Sequence, residues 1–285
     1  MKNTRISIIG LGQVGMTFLD VLSEKNFEII SVFNRSEIEP SIQAKYPYTV
    51  FKTGLPKNSD SLGELIFLTV SDDAISDIST KLSEVIDKLP QKSIVHCSGT
   101  HSSKVLEPFQ KRGAKIASFH PIKAITQKTS SFKNIWFDLE GDEALLIRLE
   151  ALVKSFGAYS FRVEPEAKPF LHASAVVASN YLVVLADLVT KISAQGNISE
   201  EIAIKALSPL MENTLSNIKE LGVTDALTGP IARGDIQTVN KHLECLEVVP
   251  DLSLLYRKLG IEAVKIAERK NGSTRSLKKI KELLS

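Results

Sequence analysis

Three glycines stand in Gly10-Leu11-Gly12-Gln13-Val14-Gly15, directly after an apolar stretch over residues 5–9 and just before an amphipathic helical pattern that starts at Met16. Gly-x-Gly-x-x-Gly between a strand and a helix is a dinucleotide-phosphate fingerprint. Gly10 lets the chain turn tightly off the strand, Gly12 bares the backbone to a pyrophosphate, and Gly15 lets the helix pack close to the strand. The unpaired N–H groups and positive dipole end of that helix then face the phosphates. The second strand ends at Phe33-Asn34-Arg35-Ser36. Binders of NAD place Asp or Glu at that point, on the ribose 2′-hydroxyl. An acid would repel a 2′-phosphate, whereas Arg35 can pair with one bidentately. Asn34, Arg35 and Ser36 therefore point to NADP as the cofactor. Val70 and Ser71, after the next clear strand, are expected to form a wall of the same site.

A second group of residues suits proton transfer. Ligands of open parallel sheets bind beyond the carboxyl ends of the strands. His120-Pro121 follows a strand expected over 115–118, and Cys97-Ser98-Gly99-Thr100 follows one ending at His96. Histidine exchanges protons near neutral pH, which suits a proton transfer coupled to hydride transfer. His120 and Ser98 are taken as neighbours on adjacent strand ends, and His96 is read as structural. Further on, Lys168-Pro169-Phe170-Leu171-His172 leads into a small-residue stretch that ends at Ser179-Asn180. At about 100° per residue His172 and Ser179 share a helix face, with Lys168 one turn earlier and Asn180 rotated by about 80°. The small residues leave room either for a ligand or for another helix backbone. In the loop Leu227-Thr228-Gly229-Pro230-Ile231-Ala232-Arg233-Gly234-Asp235, Arg233 can fork onto a carboxylate. Asp235 either holds Arg233 or caps the next helix. The expected site is thus His120, His172 and Ser98 for chemistry, and Arg233, Asn180 and Lys168 for substrate. No metal is expected, because Cys97 and Cys245 show no ligand spacing.

These residues need a scaffold. Continuous apolar strands are expected at 6–9, 28–33, 65–69, 93–96, 115–118 and 159–162, alternating with helical patterns at 16–23, 73–86, 103–111 and 142–156. That alternation implies an α/β fold with a parallel sheet covered on both faces. Residues 40–58 are irregular. Composition changes at Val163-Glu164-Pro165, after which helical periodicity runs to Ser285. The expected organisation is a dinucleotide-binding Rossmann domain over 1–163 and an all-helical domain over 164–285. Breaks in the second part are expected at Gly222 and at Gly229-Pro230, among others.

Bulk properties exclude several classes. The chain has 285 residues, 43% hydrophobic and 24% charged, with a net charge of +2. Such a balance gives no argument for nucleic acid, and the basic residues Arg269, Lys270, Arg275, Lys278, Lys279 and Lys281 read as a solvated helix face. The longest apolar run, 173–189, is interrupted by Ser174, Ser179, Asn180 and Asp187, so a buried helix rather than a membrane span is expected. Two cysteines and no leader before the first strand fit a cytoplasmic protein.

The motifs GLGQVG, HCSGT (96–100), SFHPIKA (118–124), LHASAVVASNYL (171–182) and LTGPIARGD (227–235) carry a family resemblance. The chain resembles Rossmann-like oxidoreductases with a C-terminal domain of unknown function 2520, distant relatives of the 6-phosphogluconate dehydrogenase superfamily. The resemblance implies a helical domain that builds a homodimer. The layout is also similar to prephenate and arogenate dehydrogenases, whose serine, two histidines and carboxylate-binding arginine match Ser98, His120, His172 and Arg233. The His-Pro turn here continues Ile122-Lys123, without the glycine of those enzymes. Where hydroxyisobutyrate and ketopantoate enzymes carry Lys-x-x-x-Asn, this chain has Lys168-x-x-x-His172. The expected activity is NADP-dependent hydride transfer to or from a small carbonyl, imine or hydroxy compound bearing a carboxylate, bound in the interdomain cleft. A dinucleotide-responsive regulatory protein without turnover is the alternative. An S-adenosylmethionine methyltransferase is disfavoured by the missing acid at Asn34-Arg35.

Overall fold

The structure is a computed structural model and describes residues 4–126 and 129–285; residues 1–3, on which the expected lack of a leader rests, lie outside them. Two compact units divide the chain, Met1–Ser179 and Asn180–Ser285.

The first unit carries one eight-stranded sheet. Its strands are β1 (Ile6–Ile9), β2 (Ile29–Asn34), β3 (Val50–Thr53), β4 (Leu65–Leu68), β5 (Ser93–His96), β6 (Lys115–Ile122), β7 (Trp136–Gly141) and β8 (Tyr159–Arg162). Their spatial order is β3-β2-β1-β4-β5-β6-β7-β8. The chain order reverses between β1 and β4, where doubly wound sheets open a crevice for ligands. Helices α1 (Gln13–Glu24), α2 (Pro40–Lys45), α3 (Asp72–Val85), α4 (Glu107–Gln110) and α5 (Glu143–Ser155) lie between the strands in sequence. β1, β4 and β5 are buried along their whole length, as strands covered on both faces must be. Phe18, Phe67, Phe119, Phe132 and Phe137 fill the face shared with α1 and α5, their ring centroids 4.7 to 5.8 Å apart. Each contributes about 1.5–3 kcal/mol by burial. Ile66, Leu68, Ile75, Leu82, Ile94 and Phe109 form the core on the other face.

The sheet is mixed, not wholly parallel: β6 and β7 pair antiparallel. β6 also runs four residues past the expected end, so His120 and Pro121 lie within a strand rather than in a turn after it. The cause is β7, whose pairing continues to Ile122, whereas the pairs to β5 stop at Ser118. Pro121 therefore sits beyond the last β5 pair, where its missing N–H costs no ladder bond on that side.

Beyond β8, helices α6 (Lys168–Gln195), α7 (Glu200–Ala226), α8 (Gly229–Arg233), α9 (Ile236–Leu246), α10 (Pro250–Asn271) and α11 (Arg275–Leu284) complete the chain. The C-terminal part is helical, as expected. The second unit's core is built from Val239, Leu243, Val264, Ala267, Leu277, Ile280 and Leu284, contributed by α9, α10 and α11. Gly222 interrupts α7 with φ +79°, and Gly229 opens α8 at φ +87°. The units part at Ser179, later than the composition change at 163, because Lys168 ties the start of α6 to the sheet.

One expectation is overturned. The apolar stretch of α6 is not a buried helix within this chain: Val177 is 57% exposed, Tyr181 55% and Val183 70%. By length and composition alone the helical segment Pro165–Gln195 would suffice to cross a membrane.

Candidate active site

A cavity of about 520 Å³ opens at the carboxyl ends of β1, β2 and β4. Gly10, Leu11, Gly12, Asn34, Arg35, Thr69, Val70 and Ser71 are among its lining residues. Gly10 adopts φ +101°, and a Cβ there would lie 2.8 Å from the carbonyl oxygen of Thr69, so only glycine fits this turn. Gly12, the residue before α1, has open space where a Cβ would be, and no side chain among the described residues caps the helix. The first-turn N–H groups, with Gln13, Val14 and Gly15 opening the helix, are thus left to a ligand. Asn34 braces this loop. Its side-chain oxygen accepts from the Leu11 N–H at 3.1 Å, and its amide donates to the carbonyl and hydroxyl oxygens of Ser36, each at 3.1 Å. Arg35 is exposed and lines the cavity. Bare N–H donors at a helix start with a guanidinium at the β2 end fit a phosphorylated dinucleotide.

The second cluster lies on β5, β6, β7 and the start of α6. His120 and Asp138 are direct cross-strand partners on β6 and β7, which puts both side chains on one sheet face. His120 Nδ1 lies 2.6 Å from Asp138 Oδ2. The carboxylate can only accept, so Nδ1 carries the hydrogen and Nε2 is the nitrogen left for a substrate. The other carboxylate oxygen, Oδ1, accepts from Lys168 Nζ at 2.5 Å. Asp138 and Lys168 are fully buried, while the His120 side chain is 16% exposed. Burial alone would raise the Asp138 carboxyl; the His120 hydrogen bond and the Lys168 charge outweigh it and hold the group below the usual carboxylate range.

His172 stands one turn after Lys168, its ring centroid 6.2 Å from that of His120. Its Nδ1 is buried without a hydrogen-bond partner among the described residues. Gly99 separates the two rings. A Cβ on Gly99 would come 2.7 Å from both His120 Nε2 and His172 Nδ1, so this close approach requires glycine. Ser98 is buried, and its hydroxyl oxygen accepts from the N–H groups of Thr100 and His101, each at 3.2 Å. That oxygen shapes the turn after β5 and retains only its own hydrogen to donate.

The structure changes the reading of Lys168. An ammonium that is fully buried and bound to Asp138 is closed to direct contact with a substrate, the role expected for it. His96 is the structural histidine expected: its Nδ1 accepts from the Ser98 N–H, and Nε2 lies 3.2 Å from the Ser102 carbonyl oxygen. Burial first, and then the Lys168 charge, push it down to about 3, so it stays neutral. In the second unit, Asn180 is exposed on α6 and Arg233 is exposed at the end of α8. Asp235 caps α9, accepting from the Thr238 N–H at 3.0 Å. Among the described residues no cluster of three or more His, Cys, Asp or Glu suited to a metal is found.

Asp138 is the residue that sequence reasoning missed. Its signal was present in Trp136-Phe137-Asp138-Leu139-Glu140, a period-two alternation with apolar residues on one side.

Residues 1–121 match the Rossmann-like domain family, and residues 135–263 match the family described as domain of unknown function DUF2520. No curated protein matches the chain. Among solved structures, a Bacteroides fragilis protein named as an NADP oxidoreductase is 22% identical, with a TM-score of 0.73 over 94% of this chain and 99% of its own. A Thermotoga maritima protein is 28% identical, also at 0.73, over 93% of this chain and 99% of that one. Pyrroline carboxylate reductase from Plasmodium falciparum, solved with NADP bound, is 13% identical at 0.62, over 100% of both chains.

Proposed function

We propose that this chain, a Rossmann-like domain followed by a DUF2520 domain, is an NADP-dependent reductase or dehydrogenase acting on a small carbonyl, imine or hydroxy compound that bears a carboxylate. The carrying observation is the pairing of an uncapped glycine-rich helix start, with Arg35 beside it, to a histidine held by a buried carboxylate on the same sheet. The likeness to a reductase solved with NADP supports the cofactor.

Gly10–Gly15 hold the pyrophosphate on bare backbone N–H groups, and Arg35 takes the 2′-phosphate. Val70 and Ser71 wall the groove at the end of β4. β6 lies two strands from β4, roughly 10 Å away at ordinary strand spacing. A nicotinamide ring held against Val70 would have to extend over the β5 end to meet His120. Bound NADPH supplies the hydride. His120 Nε2 gives a proton to the oxygen or nitrogen of the reduced bond, or takes it back in the reverse direction. Being part-exposed, the ring regains its proton from solvent. His172 lines the same place, and Ser98 shapes the turn that keeps Gly99 between the rings. The test is a panel of 2-oxo acids and cyclic imino acids with NADPH deuterated at the transferring carbon. Deuterium at the reacting carbon of the product is expected; consumption of NADPH without it would overturn the reading.

The exposed apolar residues of α6 and α7, such as Val183, Ile202 and Leu210, support a homodimer in which a second copy covers these helices. Light scattering at micromolar concentration is expected to give the mass of two chains, and a single-chain mass would contradict it.

A further inference from the structure

We propose that Lys168 and Asp138 form a buried charge lock that sets the tautomer and the proton occupancy of His120, with Lys168 a positioning residue that acts through Asp138. The proposal rests on His120 as the proton-exchanging group of the reading above.

The geometry is that of a carboxylate shared between two cations of different kinds. Asp138 Oδ2 accepts from His120 Nδ1 at 2.6 Å, and Oδ1 accepts from Lys168 Nζ at 2.5 Å. Both Asp138 and Lys168 are fully buried, so water screens neither charge. A carboxylate alone beside an imidazole fixes the ring and favours its charged form. Such a ring would hold its proton tightly and be a poor donor. The ammonium on the opposite oxygen cancels the carboxylate's charge while leaving its hydrogen bond to Nδ1 intact. His120 is then oriented as in an Asp–His pair, with Nε2 the nitrogen that exchanges a proton.

The other groups near His120 leave this balance in place. On β7, Glu140 lies two residues from Asp138, but its oxygens accept from the Ser103 N–H and hydroxyl at 2.5 and 2.7 Å. On β5, His96 is buried and held neutral by its surroundings. On α6, His172 is a further neighbour, its ring centroid 6.2 Å from that of His120. Among the described residues, Lys168 is therefore the one permanent positive charge in contact with the Asp138 carboxylate.

The test reads the five histidines by NMR across pH, in the full chain without cofactor, with His120 assigned by its removal in His120→Asn. In Lys168→Met the carboxylate is unbalanced, and the His120 titration is expected to move to higher pH by about one unit or more. In the double variant Lys168→Met/Asp138→Asn the net charge beside the ring is again zero. Its titration is expected to return toward that of the wild type, while the low-field Nδ1 proton of a carboxylate-bound imidazole is lost. An unmoved His120 titration in Lys168→Met overturns the proposal. Should that variant not fold, the double variant decides: persistence of the low-field proton overturns it. Neither readout needs NADPH or substrate. A protein that shows the lock but transfers no hydride would sink the functional reading alone.

Discussion

Replacing His120 by alanine is expected to slow turnover with any accepted substrate by about 10²–10⁴-fold. The argument starts from the register of two strands. β6 and β7 place His120 opposite Asp138, and the carboxylate takes the Nδ1 hydrogen at 2.6 Å. Nε2 is then the ring nitrogen left to accept or donate a proton, and the ring is 16% exposed. His172 is not oriented in the same way: among the described residues its Nδ1 has no hydrogen-bond partner. Removing the His120 ring removes the proton donor but leaves Gly10–Gly15 and Arg35 untouched. NADPH affinity should therefore persist in His120→Ala. The comparison to make is turnover and NADPH binding in wild type and variant side by side. Turnover within a factor of three of wild type would exclude His120 from proton transfer.

The second large effect concerns stability. Asp138→Ala leaves the Lys168 ammonium fully buried with no counter-charge. Breaking a buried pair in this way costs about 3–5 kcal/mol, against a total domain stability of about 5–15 kcal/mol. The variant should unfold at markedly lower urea concentration, with an unchanged dependence on denaturant. A loss below about 1 kcal/mol, the range of exposed pairs, would mean that water reaches Lys168. Folding and chemistry thus meet in one carboxylate. The group that fixes His120 also neutralises the cation that pins the first turn of α6 to the sheet.

The parts of this arrangement legible in the sequence are those governed by local physics. The strand–glycine–helix start was readable because the turn at Gly10 and the open space at Gly12 are requirements on single residues. β4 (LIFL) and the apolar part of β5 announced themselves as buried runs. The spacing of Lys168 and His172 on one helix face was equally local. Non-local pairing was not legible. β7 carries Asp138 and Glu140 on a buried face, and acids at such positions argue against a strand until their partners are known. Those partners, His120, Lys168 and Ser103, come from three other segments. Without β7, His120 appeared to follow its strand, and Lys168 appeared free to meet a substrate. β3 was hidden for a different reason: it is an edge strand with little burial, so it lacks an apolar pattern. The apolar run of α6 does not show where it packs, because hydrophobicity in a sequence records the need for cover and not what provides it.

The most direct test of the account is a calorimetric titration of the full chain with NADPH and, separately, with NADH. NADPH is expected to bind at least about tenfold more tightly, the difference made by the Arg35 pairing with the 2′-phosphate. Equal affinities would remove Arg35 from the site, and binding of neither dinucleotide would contradict the assignment of Gly10–Gly15 as a phosphate cradle and the reductase reading with it.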